Sequence, residues 1–152
     1  MRVDGSGRSA PRNDAEAAPA FTLACRVYWE DTDAGGVVYH ARYLHFLERA
    51  RSDWFRAAGF GQHALHAQGG IAFVVHRMEL TFHAPARLDD LLDVDVRVEE
   101  LRGASLLVTQ AIRRSGEAVP LLDARVRIAC VDAGTFRPHP IPRNLLEGIT
   151  RT

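Results

Sequence analysis

The chain contains no lysine, so all 19 of its basic side chains are arginine, and 19 acids balance them to a formal net charge of zero. That balance argues against a general electrostatic attraction for nucleic acid, although it leaves room for a local basic patch. The arginine bias reads as the composition of a G- and C-rich genome rather than as a phosphate site. Cysteine is scarce: Cys25 and Cys130 stand far apart, which excludes a disulfide framework or a cysteine metal site. Each lies in an apolar run and reads as a small buried hydrophobe. No apolar run approaches the roughly 18 residues of a membrane helix, and the N-terminus lacks the apolar stretch of a secretory signal, so the cytoplasm is the expected compartment. There is no nucleophile elbow and no Walker or dinucleotide glycine pattern. His63 and His66 come nearest to metal-ligand spacing but lack a neighbouring acid or cysteine, so neither metal nor organic cofactor is expected. Any hydrolysis must then rest on a carboxylate and backbone amides.

What is present fits one domain of 152 residues. Residues 1 to about 20 are rich in Gly, Ser, Ala, Pro and Arg without periodicity, and a disordered tail is expected there, with the domain over 21–150. A strand is predicted from Phe21 to Trp29 and a helix from about Tyr39 to Ala58, with Tyr43, Leu47, Ala50, Trp54 and Ala58 at three- and four-residue steps. Within it Arg49 is placed to pair with Asp53, and Glu48 with Arg51, while Gly59 ends the helix. Strands follow at Ile71–His83, with Val74, His76, Met78, Leu80 and Phe82 on one face, and at Leu91–Leu101, where Leu92, Val94, Val96 and Val98 alternate with charges. Two more span Ala104–Arg113 and Val119–Val131, and residues 142–149 read as a last helical turn or two. The linkers between late strands are too short for crossover helices, so the sheet is antiparallel. One long helix must bury its stripe on it, an α+β architecture. The other sheet face mixes charges with Phe73, Val75 and Val131, which points to partial cover by a second subunit.

The most informative run is Glu30-Asp31-Thr32-Asp33-Ala34-Gly35-Gly36-Val37-Val38-Tyr39-His40. Acids and glycines stand directly before a helix whose first N–H groups, near Val38 to His40, lack intrahelical partners and can receive a developing negative oxygen. A carboxylate, an imidazole and an oxyanion site then face one bound group. From spacing alone Asp33 reads either as a turn residue or as a catalyst, and His40 more readily as a surface histidine. Asp31 reads as a loop hydrogen-bonding or ion-pairing residue, and Glu48 is the alternative carboxylate.

The run from Val27 to Tyr43, continued by Phe46-Leu47-Glu48-Arg49-Ala50-Arg51, Ala72-Phe73-Val74-Val75, Ala84-Pro85-Ala86-Arg87-Leu88-Asp89-Asp90 and Arg102-Gly103-Ala104-Ser105-Leu106, resembles the Tol-Pal-associated acyl-CoA thioesterases of the 4-hydroxybenzoyl-CoA thioesterase branch of the hotdog superfamily. The likeness spans about Cys25 to Pro142. It implies a long helix wrapped by a curved antiparallel sheet, subunits paired as a homodimer or a homotetramer, and hydrolysis of an acyl-CoA. It further implies Asp33 as base or nucleophile and His40 as its assistant. The amides around Val38, Tyr39 and His40 would polarise the carbonyl, and Arg102, Gly103 and Ser105 are candidates for coenzyme A contact. Trp29, a further candidate for substrate contact, stands where close relatives often carry tyrosine, which trades a hydroxyl for a bulkier ring. A hotdog hydratase or dehydratase, and a non-catalytic module that binds an acyl group or an acyl carrier protein, are the competing readings.

Overall fold

The computed structural model describes residues 18–151. The expected tail lies outside the described residues apart from 18–20. In chain order the elements are β1 (Phe21–Arg26), a 3-10 turn (Trp29–Asp31), α1 (Arg42–Ala57), α2 (Gln62–Gly69), β2 (Ile71–Phe82), β3 (Leu91–Leu101), β4 (Ser105–Arg114), β5 (Leu122–Asp132) and α3 (Arg143–Arg151). The strands form one sheet in the order β1-β3-β4-β5-β2, every neighbour antiparallel. With α1 laid on one face, this is the α+β hotdog architecture that the sequence predicts.

The face that α1 buries carries Tyr43, Phe46, Leu47, Ala50, Trp54 and Phe55. Full burial of a large apolar side chain contributes roughly 1.5–3 kcal/mol, so this stripe is what docks the helix. Phe46 and Phe55 widen it beyond the predicted positions, while Ala58 falls just past the helix and is half-buried. Opposite lie Leu92, Val94 and Val96 of β3 and Leu122, Ala124, Val126, Ile128 and Cys130 of β5, all buried as their alternation predicts.

Three expectations need correction. The first concerns α1, which begins at Arg42 rather than near Tyr39, because the Tyr39 N–H donates to Asp31 O at 2.8 Å and holds the chain in the loop. In β2, a bulge between Val75 and Arg77 leaves His76 without a partner on β5 and reverses the alternation. Ile71 and Phe73 therefore face the core together with Met78 and Leu80, and Phe73 stacks on Phe55 at 4.9 Å instead of joining the outer face. Along α1, Asp53 pairs with Arg56 rather than Arg49, Glu48 accepts from Ser52 Oγ at 2.8 Å, and Arg51 turns inward to donate to Gln110 Oε1 at 2.9 Å.

Register fixes the two ends of the sheet. Arg26 pairs with Leu91, Leu92 with Arg114, and Leu122 with Phe82, so the exits of β1, β4 and β2 share one end. The β3–β4 turn, the exit of β5 and the start of β2 share the other, where Ser105 pairs with Ala129 and Ile71 with Asp132. The 12 residues of β2 separate the two ends by roughly 35 Å at about 3.3 Å per residue. Among the described residues no helix is long and apolar enough to cross a membrane.

Candidate active site

The loop 27–41 leaves β1 at the first of these ends and folds back on itself. Asp31 is its anchor: it is buried, its Oδ2 accepts from the Tyr28 N–H at 2.9 Å, and its Oδ1 lies 3.0 Å from Arg42 Nε. The Arg42 contact is an ion pair by distance, but Oδ1 has no hydrogen bond of good geometry. Arg42 also donates to Glu30 O at 2.9 Å. Asp31 thus has the structural role that its sequence context suggests.

Asp33, two residues on, is placed differently. Its N–H donates to Val37 O and its carbonyl accepts from Gly36 N–H, both at 3.0 Å. Gly36 sits at φ +77, a conformation that favours glycine. The Asp33 carboxylate is exposed; Oδ1 accepts from Gly35 N–H at 2.8 Å, and Oδ2 has no hydrogen-bond partner among the described residues. A side chain at Gly35 would start 3.0 Å from Asp33 Oδ1, so the glycine leaves room for the carboxylate.

The amides divide in the same way. Val38 N–H donates to Ala86 O at 2.9 Å, Tyr39 N–H is held by Asp31 O, and Val38 is itself buried. These two amides cannot receive a substrate oxygen as things stand. The N–H groups of His40 and Ala41 have no acceptor among the described residues, so the acceptor-free amides lie one or two residues beyond Val38 and Tyr39. The His40 ring is exposed and stands 4.6 Å from that of Tyr39. Trp29 is 79% exposed on the 3-10 turn.

Beside His40 is a cavity of about 270 Å³, with Val38, His40 and Tyr43 on one side and Phe82, His83 and Pro85 on the other. Sequence reasoning missed this far wall, because nothing in the order of residues ties the end of β2 to the loop before α1. Tyr43 was legible only as an apolar helix position. Its hydroxyl accepts from Ala86 N–H at 2.9 Å. Burial pushes the phenol above its usual pKa, and the nearby Asp33 charge adds to the rise, so Tyr43 stays protonated at neutral pH. His83 Nε2 lies 2.7 Å from Asp123 Oδ2. A larger hollow of about 360 Å³ lies between α2 and the start of α3, and no titratable side chain lines it. Burial pushes the Cys25 and Cys130 thiols up to about 11, which keeps both protonated and poorly nucleophilic.

Arg102, Gly103 and Ser105 form a tight β3–β4 turn, closed by Arg102 N–H to Ser105 O at 2.8 Å. That turn stands at the opposite end of the sheet from Asp33 and His40. Within one chain the structure brings Asp33, Val38, Tyr39 and His40 together and leaves the Arg102 turn apart.

The fold is one antiparallel sheet with a long helix on its face, and an exposed carboxylate and acceptor-free amides stand just before that helix. The chain matches the family model of the thioesterase-like superfamily over residues 27–149 and belongs to that family. It is 46% identical over 125 residues to the acyl-CoA thioesterase YbgC of Haemophilus influenzae, covering 82% of this chain and 90% of that protein. It is 35% identical over 111 residues to the long-chain acyl-CoA thioesterase FadM of Escherichia coli, covering 72% of this chain and 82% of that one. Among solved structures, a probable thioesterase from Bartonella henselae is similar with a TM-score of 0.75 and 40% identity, covering 80% of this chain and 98% of that chain.

Proposed function

We propose that this thioesterase hydrolyses acyl-coenzyme A to the free acid and coenzyme A, with the loop 27–41 as its catalytic element. The observation that carries the reading is the pairing, within nine residues, of an exposed Asp33 carboxylate with one unengaged oxygen and the acceptor-free amides of His40 and Ala41. Asp33 acts as general base on water or as nucleophile on the thioester carbon. The His40 and Ala41 N–H groups receive the carbonyl oxygen as it becomes negative. The C–S bond then breaks and the thiolate takes a proton to leave as coenzyme A. Where Asp33 is the nucleophile, a water then hydrolyses the acyl–Asp33 anhydride to release the acid. His40, at the mouth of the cavity, assists. The run from Glu30 to His40 supports a place in the Tol-Pal-associated branch.

Two copies complete the site. β2 is an edge strand of 12 residues with Val75 and Phe82 half exposed, a template for pairing with a second strand. Antiparallel pairing of β2 with the β2 of a second copy would set one copy's Asp33 end beside the other's Arg102 end. This supports a homodimer, or a dimer of such dimers, in which Arg102, Gly103 and Ser105 reach coenzyme A, or an acyl carrier protein in its place, from the partner. Two unpaired thiols suit a cytoplasmic location.

The test is thiol release from short, long and aromatic acyl-CoA esters by wild type and Asp33→Ala. Turnover that falls at least about a hundredfold in a folded Asp33→Ala is the expected outcome. Equal turnover by both proteins would remove Asp33 from the mechanism. Binding without any turnover would favour a non-catalytic acyl-binding module.

A further inference from the structure

The loop 84–90, between β2 and β3, grips the catalytic loop at two places. Val27, where that loop leaves β1, donates its N–H to Asp90 O at 2.9 Å and accepts from Asp89 N–H at 3.1 Å. Farther along, the buried main chain of Ala86 makes two bonds. Its carbonyl accepts from Val38 N–H and its N–H donates to the Tyr43 hydroxyl, both at 2.9 Å. The acceptor-free amides of His40 and Ala41 lie between those two attachments, so the place of Ala86 governs theirs.

What holds Ala86 comes from a third element. Arg114, the last residue of β4, donates from Nη2 to Pro85 O at 2.7 Å and from Nε to Asp90 Oδ2 at 2.9 Å. The same Asp90 oxygen accepts from Arg87 N–H at 2.8 Å. The residues on both sides of Ala86 are thus tied to one guanidinium, Pro85 directly and Arg87 by way of Asp90. The pair is largely shielded from water, with side-chain exposures of 28% for Arg114 and 22% for Asp90, where charge-assisted bonds are strongest. The planar fork of arginine serves both acceptors at a fixed angle, which a lysine ammonium does not.

On the thioesterase reading above, we infer that Arg114 is a positioning residue for the reaction: it braces Pro85 and Asp90, fixes Ala86 between them, and through Val38 and Tyr43 sets the His40 and Ala41 amides where the carbonyl oxygen arrives. It acts through these bonds rather than on the ester. Its loss loosens the amides, which costs more in the transition state than in the bound ester.

The experiment measures kcat, KM and Tm for wild type, Arg114→Ala, Arg114→Lys and Arg113→Ala on the acyl-CoA ester that wild type cleaves fastest. Arg113 is the neighbour on the opposite face of β4. It donates to Asp95 Oδ2 at 2.6 Å and to Ala118 O at 3.1 Å, and neither bond leads to the loop 84–90. Arg113→Ala is expected to lower Tm with kcat near wild type. Arg114→Ala is expected to lower Tm comparably but kcat by at least about tenfold, with KM within about twofold of wild type. Arg114→Lys, which keeps the charge without the fork, is expected to recover Tm more fully than kcat. A wild-type kcat in Arg114→Ala, a loss no greater than that of Arg113→Ala, or a loss confined to KM overturns the inference while the hydrolase stands. If Arg114→Ala does not fold, the kcat of Arg114→Lys against that of Arg113→Ala decides by the same criterion. Thiol release from no ester by wild type overturns both.

Discussion

The two ends of the sheet are built from the same materials and differ in how fully their polar groups are engaged. At the far end the Arg102 turn closes on Ser105, Arg102 Nε donates to Glu100 at 2.8 Å, and Gly103 O accepts from Ile141 N–H. At the near end Asp33 keeps a free oxygen, and His40 and Ala41 keep free N–H groups. The second arrangement leaves a carboxylate oxygen and backbone N–H groups open to a ligand. The same contrast is repeated at short range between Asp31 and Asp33, where one carboxylate holds the loop and the other is held out by it.

That contrast can be broken experimentally in order of expected effect. Asp31→Ala deprives the Tyr28 N–H of its acceptor and Arg42 of its ion-pair partner and should destabilise the fold by about 2–3 kcal/mol. Thermal unfolding would register this as a clear drop in Tm, whereas Asp33→Ala should leave Tm nearly unchanged. Similar Tm losses in both would erase the distinction between anchor and catalyst. Gly148→Val tests the far end: a Cβ there meets Ala58 O at 2.8 Å and the Phe60 ring at 2.7 Å, so α3 must shift, at a cost of about 2 kcal/mol. Denaturant unfolding should show the loss while thiol release per folded molecule stays near wild type. The smallest effect belongs to Arg102→Ala. If a second copy delivers this turn to the site, KM for acyl-CoA rises a few-fold with kcat unchanged; an unchanged KM would confine the turn to a structural role.

Where a residue's neighbours along the chain decide its place, the sequence was a good guide. The alternations of β3 and β5, and the helix stripe of Tyr43, Leu47, Ala50 and Trp54, follow from period alone, and the core matches them. Spacing left Asp33 open between turn residue and catalyst, and only the resemblance set it apart from Asp31. The misses come from long-range contacts that leave no local trace. The α1 start moved to Arg42 because Tyr39 N–H found Asp31 O. Arg51 turned inward because Gln110, on a distant strand, accepts from it; burial lowers the Arg51 guanidinium below its ordinary pKa, and the Glu48 charge only partly offsets this. The Phe82 wall stayed hidden because it meets Tyr43 only after the sheet has formed.

The bulge at His76 turns a matter of shape into a matter of counting. Upstream and downstream of it, β2 is read in two different frames, and the residue itself pairs with nothing on β5. Its chemical identity, and even its presence, is therefore almost free to drift. Loss of that single codon would restore an unbroken ladder, because Val75 and Arg77 already pair with the adjacent Ile128 and Arg127, and Phe82 would stay opposite Leu122. The face of Phe82 is thus held by its partner on β5 and not by the length of β2, so a lineage could lose the extra residue without moving the wall of the cavity.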